Sequence, residues 1–380
     1  MESKNKLMII AGEESGDLVG AALIKEMKRM NSDLTIYGIG GDSMKAESMN
    51  LLYHINRMAF LGFTEVVKHI PFIKKVQKEL VSVSKEKEIK TAVLIDYPGF
   101  NLDVAEKFKK IGMKLIYYVS PQLWAWGSGR MNKIKRLVDK MIVVFPFEEN
   151  LYRKNDVNVE FVGHPLIERI YNYNFLSKEE LNNKFGLDST KDILLLMPGS
   201  RKHEVAKIFP SMITAALNLA KKFNLQVVTA CSSNIGENIF YELSGSKDFK
   251  VVKGFTYDLM KHAKFGIIKS GTSTLEAGYF ALPMIIVYKT SFLTYRIMKN
   301  LIRLNKIGMA NILLDEKVVP ELIQHEASKE KIFEAGRKIL GDENLYSSIK
   351  QKLSGIKNKL GEAGASARAA KIILALMNES

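Results

Sequence analysis

The chain has 380 residues, 47% of them hydrophobic and 26% charged, with a formal net charge of +15. That length exceeds most single cores, so two domains are expected, and the composition excludes a disordered, collagenous or repetitive chain. The excess Lys and Arg are spread rather than blocked. They point to an anionic partner (nucleic acid, an acidic membrane surface or phosphorylated substrates), or to solubility alone.

Cys231 is the single cysteine, which excludes an intrachain disulfide and suggests a reducing compartment. The first apolar run is too short for a signal peptide. The others have strand length, below the roughly 18 residues of a spanning helix. A cytoplasmic protein is expected, with any membrane contact made from its surface.

Residues 7–11 read as a buried strand running into Gly12-Glu13-Glu14-Ser15-Gly16-Asp17 and an amphipathic helix over 18–30. This turn closes the first strand of a doubly wound sheet, where ligands usually sit. Strand 34–39 ends in Gly38-Ile39-Gly40-Gly41, an incomplete G-x-G-x-x-G that reads better as a tight turn. Over 58–80, Val66, Ile70, Ile73, Val76 and Leu80 recur at helical spacing, an ordinary core stripe. Val67 and Phe72 fall off the stripe, Lys68, Lys74, Lys75 and Lys78 rim it, and Pro71 interrupts it. An interfacial membrane contact has the same pattern.

Strand 92–95 ends at Asp96, before Tyr97-Pro98-Gly99-Phe100-Asn101. A carboxylate at the C-terminal end of a parallel strand faces the ligand crevice. Its bland alternative is to cap the next helix, which Asn101 can do instead. Strand 114–119 leads to both tryptophans, Trp124 and Trp126, a pair beside a turn that suits a cleft lining. Strands at 141–144 and 159–162 follow. The second ends at Gly163-His164-Pro165, where the domain junction is placed; His164 could serve as a base, but beside a Gly/Pro turn it reads better as structural.

The second half repeats the rhythm. Strand 193–197 leads to Pro198-Gly199-Ser200-Arg201 and a helix carrying His203 and Glu204, a turn able to hold a pyrophosphate by backbone N–H groups and a guanidinium. Strands at 226–230 and 251–252 precede Gly254-Phe255-Thr256-Tyr257-Asp258-Leu259. Residues 265–288 then form a strand–turn–helix–strand unit around Ser270-Gly271-Thr272-Ser273-Thr274. Its helix start invites a phosphate, while Ser273 and Glu276 also fit a capping box that needs no ligand. A second basic amphipathic helix spans 292–306, and helices at 329–340, 345–358 and 366–377 close the chain.

The fold class is therefore α/β, with two Rossmann-like domains facing a cleft. An N-terminal domain spans 1–165 and a second spans 166–345. Helices over 346–380 are expected to pack back on the N-terminal domain or on a partner chain.

The motifs AGEESGD at 11–17, GFTEVV at 62–67, IDYPGFN at 95–101, YVSPQLWAW at 118–126, FVGHPL at 161–166, MPGSRKHEV at 197–205, SGTSTLE at 270–276 and VVPELIQ at 318–324 resemble, in order, those of the lipid-A-disaccharide synthase family. The resemblance covers nearly the whole chain. It implies a GT-B type glycosyltransferase that moves 2,3-diacylglucosamine from its UDP donor to 2,3-diacylglucosamine 1-phosphate, inverting to a β-1,6 linkage. It also implies peripheral association with the cytoplasmic face of the inner membrane, an anionic phospholipid surface as partner, and assembly as a monomer or a homodimer.

By the same resemblance, Asp96 matches the proposed base or substrate-positioning group, and Arg201 the arginine on the UDP phosphates. Asn311 matches a further functional asparagine, and Glu13, Ser15 and Asp17 the N-terminal site motif. The uridine diphosphate site draws on Gly199, Ser200, Phe255, Thr256, Tyr257, Leu259, Gly271, Thr272, Thr274 and Glu276. Two departures are Gly99, where the family commonly has an aspartate, and Gly127, where an arginine is usual.

An inverting transfer needs a base, charge stabilisation on the departing UDP, and alignment of both sugars. Asp96 is assigned the first, and Arg201 with the helix starts after Gly199 and Gly271 the second. Glu276 is assigned to the ribose hydroxyls. No cofactor or metal is expected, because the sequence holds no Asp-x-Asp pair and no Cys/His cluster. A soluble UDP-sugar transferase or epimerase is the nearest rival. A nucleic-acid-binding protein is disfavoured by the lack of a recognised module.

Overall fold

The computed structural model of the chain describes residues 5–58, 69–121, 123, 129–232, 234–290 and 306–379. Two compact units emerge, one formed by Met1–Tyr171 with Leu360–Ser380 and the other by Asn172–Lys359. The boundaries expected at 165/166 and 345/346 thus fall at 171/172 and 359/360. The helix Glu343–Lys359 belongs to the second unit, and the helix Ala365–Asn378 packs in the first against the helix Glu14–Met30.

In the first unit the strands are β1 (Lys6–Ala11), β2 (Thr35–Gly40), β3 (Asn50–His54), β4 (Thr91–Ile95), β5 (Lys114–Tyr118), β6 (Lys140–Val143) and β7 (Val159–Phe161). They pair in parallel in the order β3-β2-β1-β4-β5-β6-β7. Parallel strands covered by helices on both faces read as unbroken apolar runs. Leu7 to Ala11 and Ala92 to Ile95 are accordingly fully buried.

The second unit holds β8 (Asp192–Met197), β9 (Leu225–Cys231), β10 (Lys250–Lys253), β11 (Ala263–Lys269), β12 (Met284–Tyr288) and β13 (Glu321–Ile323) in the order β10-β9-β8-β11-β12-β13, again parallel. Its core is built the same way, from Ile193 to Leu196 and Met284 to Val287.

Each sheet winds outward in both directions from a central pair, β1/β4 in the first unit and β8/β11 in the second. At such a switch point the connections leave to opposite sides, and a crevice opens beyond the strands' carboxyl ends. Ala11 lies opposite Ile95 in the first sheet, and Met197 lies opposite Ile268 in the second. The Gly12 and Asp96 turns are therefore neighbours in one unit, and the Gly199 and Ser270 turns in the other.

Candidate active site

In the first unit, the chain leaves β4 through two non-glycine residues in the left-handed region, Asp96 at φ 45° and Tyr97 at φ 46°. The Tyr97 ring lies over Gly12, where an added Cβ would come within 2.2 Å of its Cδ1. Only a glycine allows the β1 and β4 turns to approach this closely. The Tyr97 hydroxyl donates to the Met58 carbonyl at 3.1 Å, and its ring stacks on Phe100. The helices Glu14–Met30 and Pro98–Lys110 both start here, and neither has a side-chain cap.

The half-buried Asp96 is pushed up from the ordinary carboxylate value to about 6, first by burial and then by the negative charge of Glu13 on the neighbouring turn. A backbone hydrogen bond from Tyr97 opposes the rise. Asn101 does not cap the helix as expected. It lies inside the helix, fully buried, and its Nδ2 donates to the Ile95 and Asp96 carbonyls at 3.2 and 2.7 Å. Glu13 and Ser15 are exposed at this turn.

Asp17, assigned to the site from sequence, has a different role. Its buried carboxylate accepts from the backbone N–H groups of Gly41 at 2.6 Å, Ser43 at 3.0 Å and Met44 at 3.1 Å. Both oxygens are spent fixing the start of the helix Asp42–Ala46, so Asp17 is a scaffold residue. His164 is structural as expected. Its Nδ1 accepts from the Leu166 N–H at 3.1 Å, and burial and the nearby Arg169 charge push it down to about 3.

In the second unit, Gly199 has φ +115°, and a Cβ there would lie 2.9 Å from Glu204 Oε2. Ser200 and Arg201 are exposed beside it, and Arg201 precedes the helix Lys202–Phe223, which carries no side-chain cap. Lys269, the last residue of β11, donates to Glu204 Oε1 at 3.0 Å, and Arg201 Nη1 lies 3.8 Å from the same oxygen. Sequence reasoning missed Lys269. Its visible signal is a cation ending the apolar run Phe265–Ile268, just before a Ser-Gly turn.

The next turn departs from the capping-box alternative. The helix Thr272–Tyr279 starts after Gly271 without a side-chain cap, and Glu276 Oε1 instead accepts from the Tyr257 hydroxyl at 3.3 Å. Thr272 is exposed at this helix start. Thr274 is not open to a ligand. Its hydroxyl is buried, donating to the Gly271 carbonyl at 2.8 Å and accepting from the Met309 N–H at 3.0 Å. Leu259 is also withdrawn, its side chain fully buried in the core, because it lies on the inner face of the helix Thr256–His262. Phe255 and Thr256 are half-buried at that helix's start, with the Phe255 ring edge-on to Phe185 and the Lys184 ammonium over its face.

Asn311, expected as a catalytic group, is fully buried and holds the chain instead. Its Nδ2 donates to the Val319 carbonyl at 2.9 Å and to Glu321 Oε1 at 2.8 Å, while its Oδ1 accepts from the Val319 N–H at 3.0 Å. Glu321 in turn accepts from the N–H groups of Ile307 and Gly308. That segment supports the Ser270 turn, because Ser270 Oγ donates to the Ile307 carbonyl at 2.9 Å.

The expected sites around Trp124, Trp126 and Gly127, the segment 59–68 and the helix over 292–305 lie outside the described residues. Gly99 is exposed, with open space around it. Among the described residues no helix is long and apolar enough to cross a membrane.

Two parallel doubly wound units, each with its clustered turns at the sheet's switch point, define the chain as a GT-B type α/β protein. The UDP-GlcNAc 2-epimerase from Neisseria meningitidis bound to UDP-GlcNAc shares this fold, with TM-score 0.66 and 12% identity over 99% of this chain and 100% of that one. So does the glycotransferase of kitacinnamycin, with TM-score 0.67 and 11% identity over 98% and 99%.

Residues 7–375 match the family described as Lipid-A-disaccharide synthetase. The lipid-A-disaccharide synthase of Geobacter sulfurreducens is 38% identical over 380 residues, spanning 99% of this chain and 98% of that protein. The chain belongs to the lipid-A-disaccharide synthase family and is a glycosyltransferase of lipid A disaccharide formation.

Proposed function

We propose that the chain transfers 2,3-diacylglucosamine from its UDP donor to 2,3-diacylglucosamine 1-phosphate, giving the β-1,6-linked disaccharide 1-phosphate and UDP. The acceptor's 6-hydroxyl oxygen attacks the donor's anomeric carbon as the bond to the UDP oxygen breaks. The hydroxyl proton passes to Asp96, and UDP leaves with the bonding electrons, so the configuration inverts.

The observation that carries this reading is Asp96, a carboxylate at the first sheet's switch point, raised to about 6. A base of that strength is ionised at neutral pH and still accepts a proton readily as the new bond forms. Arg201 and the uncapped starts of the helices Lys202–Phe223 and Thr272–Tyr279 bind the diphosphate. Glu276, which accepts from the Tyr257 hydroxyl, is assigned to the ribose hydroxyls.

The net charge of +15 and the basic, apolar stretches favour peripheral attachment to an anionic phospholipid surface on the cytoplasmic face of the inner membrane. Homodimerisation is compatible with this placement.

The test is UDP release from synthetic UDP-2,3-diacylglucosamine, followed by phosphorus NMR with and without the acylated 1-phosphate. Release that depends on acceptor supports the proposal. Release or epimerisation without acceptor, with UDP-N-acetylglucosamine turned over equally, contradicts it.

A further inference from the structure

Three non-glycine residues at the ends of two adjacent strands occupy the left-handed region. Asp96 and Tyr97 follow β4 at φ 45° and 46°, and Val119 follows β5 at φ 61°. A β-branched residue there is a genuine outlier, and such conformations persist only where the surroundings over-determine them.

The restraints are visible. The Asp96 carbonyl accepts from the Tyr117 hydroxyl at 2.5 Å and from Asn101 Nδ2 at 2.7 Å. Asn101 Nδ2 also reaches the Ile95 carbonyl, the Asp96 N–H donates to the Tyr118 carbonyl at 3.2 Å, and the Val119 N–H donates to the Ile142 carbonyl at 3.1 Å. Tyr117 and Asn101 are both fully buried, and both turn a polar group onto the same strained peptide. Burial raises Tyr117 well above the ordinary tyrosine range, so its hydroxyl stays a donor.

We propose that Tyr117 and Asn101 are positioning residues for the transfer, gripping the Asp96 carbonyl so that the strained Asp96–Tyr97 turn keeps its carboxylate beside the Gly12–Glu13 turn. Neither touches substrate; both act through Asp96. The inference rests on Asp96 being the base.

Among the described residues, the charged or titratable groups around this turn are Glu13 from the β1 turn, Tyr97 within it, Tyr117 from β5, and Tyr152 and Arg130, which act on Tyr117. Tyr117→Phe leaves Asp96, Glu13, Tyr97 and Arg130 in place. A change in the pH at which Asp96 ionises then reports the turn itself. Released from its grip, the turn relaxes, the carboxylate gains water, and the burial that raises it is relieved.

The experiment measures kcat, KM and the pH profile of kcat/KM, which reports the ionisations of the free enzyme, for the full chain and for Tyr117→Phe, Asn101→Ser and Asp96→Asn, using the synthetic acylated donor and acceptor. Tyr117→Phe keeps the ring in the core. In it and in Asn101→Ser, kcat is expected to fall about 10- to 100-fold, the loss typical of a misplaced reacting group. KM is expected to stay unchanged, and the acid limb, expected near 6 in the wild type, to move to lower pH.

Wild-type kcat and acid limb in both variants, beside an inactive Asp96→Asn, would overturn the inference and leave the base assignment standing. A lower kcat with an unmoved acid limb would also overturn it, since that is what loosened folding alone produces. Full turnover by Asp96→Asn would instead remove the base assignment, and the inference with it.

Discussion

Replacing Asp96 by Asn removes a charge that the folded chain holds at a cost. The carboxylate rises from an ordinary 3.8 to about 6 because burial and Glu13 disfavour its ionised form. Its folded-state pKa exceeds its unfolded one, so the native state binds the proton more tightly. Native stability therefore falls as pH rises from about 4 to about 6, and stays at the lower level above that. The full shift corresponds to about 3 kcal/mol, reduced to about 1–2 kcal/mol because solvent reaches the half-buried group.

Asp96→Asn should thus be more stable than the wild type by about 1–2 kcal/mol at pH 7.5 and nearly equal to it at pH 4. It should also lose about 10²- to 10⁴-fold in turnover, as expected for a missing general base. Urea unfolding followed by circular dichroism reads the stability. An equal loss of stability at both pH values would refute the assignment of a buried, destabilised carboxylate.

The other residues separate scaffold from chemistry. Asp17→Ala strips the carboxylate from three backbone N–H groups and should lower unfolding stability by about 2–4 kcal/mol in a urea titration. Asn311→Ala frees the 307–321 segment beneath the Ser270 turn. It should cost about 2–3 kcal/mol of stability and also weaken UDP binding measured by calorimetry. Arg201→Ala should weaken UDP binding about 10- to 100-fold without changing the melting temperature, through loss of a charge-assisted phosphate contact. Gly12→Ala drives a methyl into the Tyr97 ring, and a circular dichroism melt should show a folded chain whose turnover is lost.

Most of the architecture could be read from the order of residues. Strands such as β1, β8 and β12 are short runs of Ile, Leu, Met and Val ending in glycine or polar turns, and a parallel sheet buried on both faces writes that pattern. β3 (Asn50–His54) and β13 (Glu321–Ile323) escaped because they are sheet edges, short and only partly buried, where polar residues break the apolar run.

The switch-point turns were also legible, since glycine and a carboxylate or arginine at a strand end carry a local meaning. Side-chain direction was not. Asp17 finds its partners at Gly41, Ser43 and Met44, and Asn311 finds its own at Val319 and Glu321. A polar residue in a turn motif serves either a ligand or the backbone of another loop, and only the folded chain distinguishes the two.

The most direct measurement is the anomeric configuration of the disaccharide formed from synthetic acylated UDP-glucosamine and its 1-phosphate acceptor, read from proton coupling constants. Direct displacement assisted by Asp96 yields the β-1,6 linkage. An α-linked product, or UDP formed with no disaccharide, would contradict the mechanism proposed for this chain.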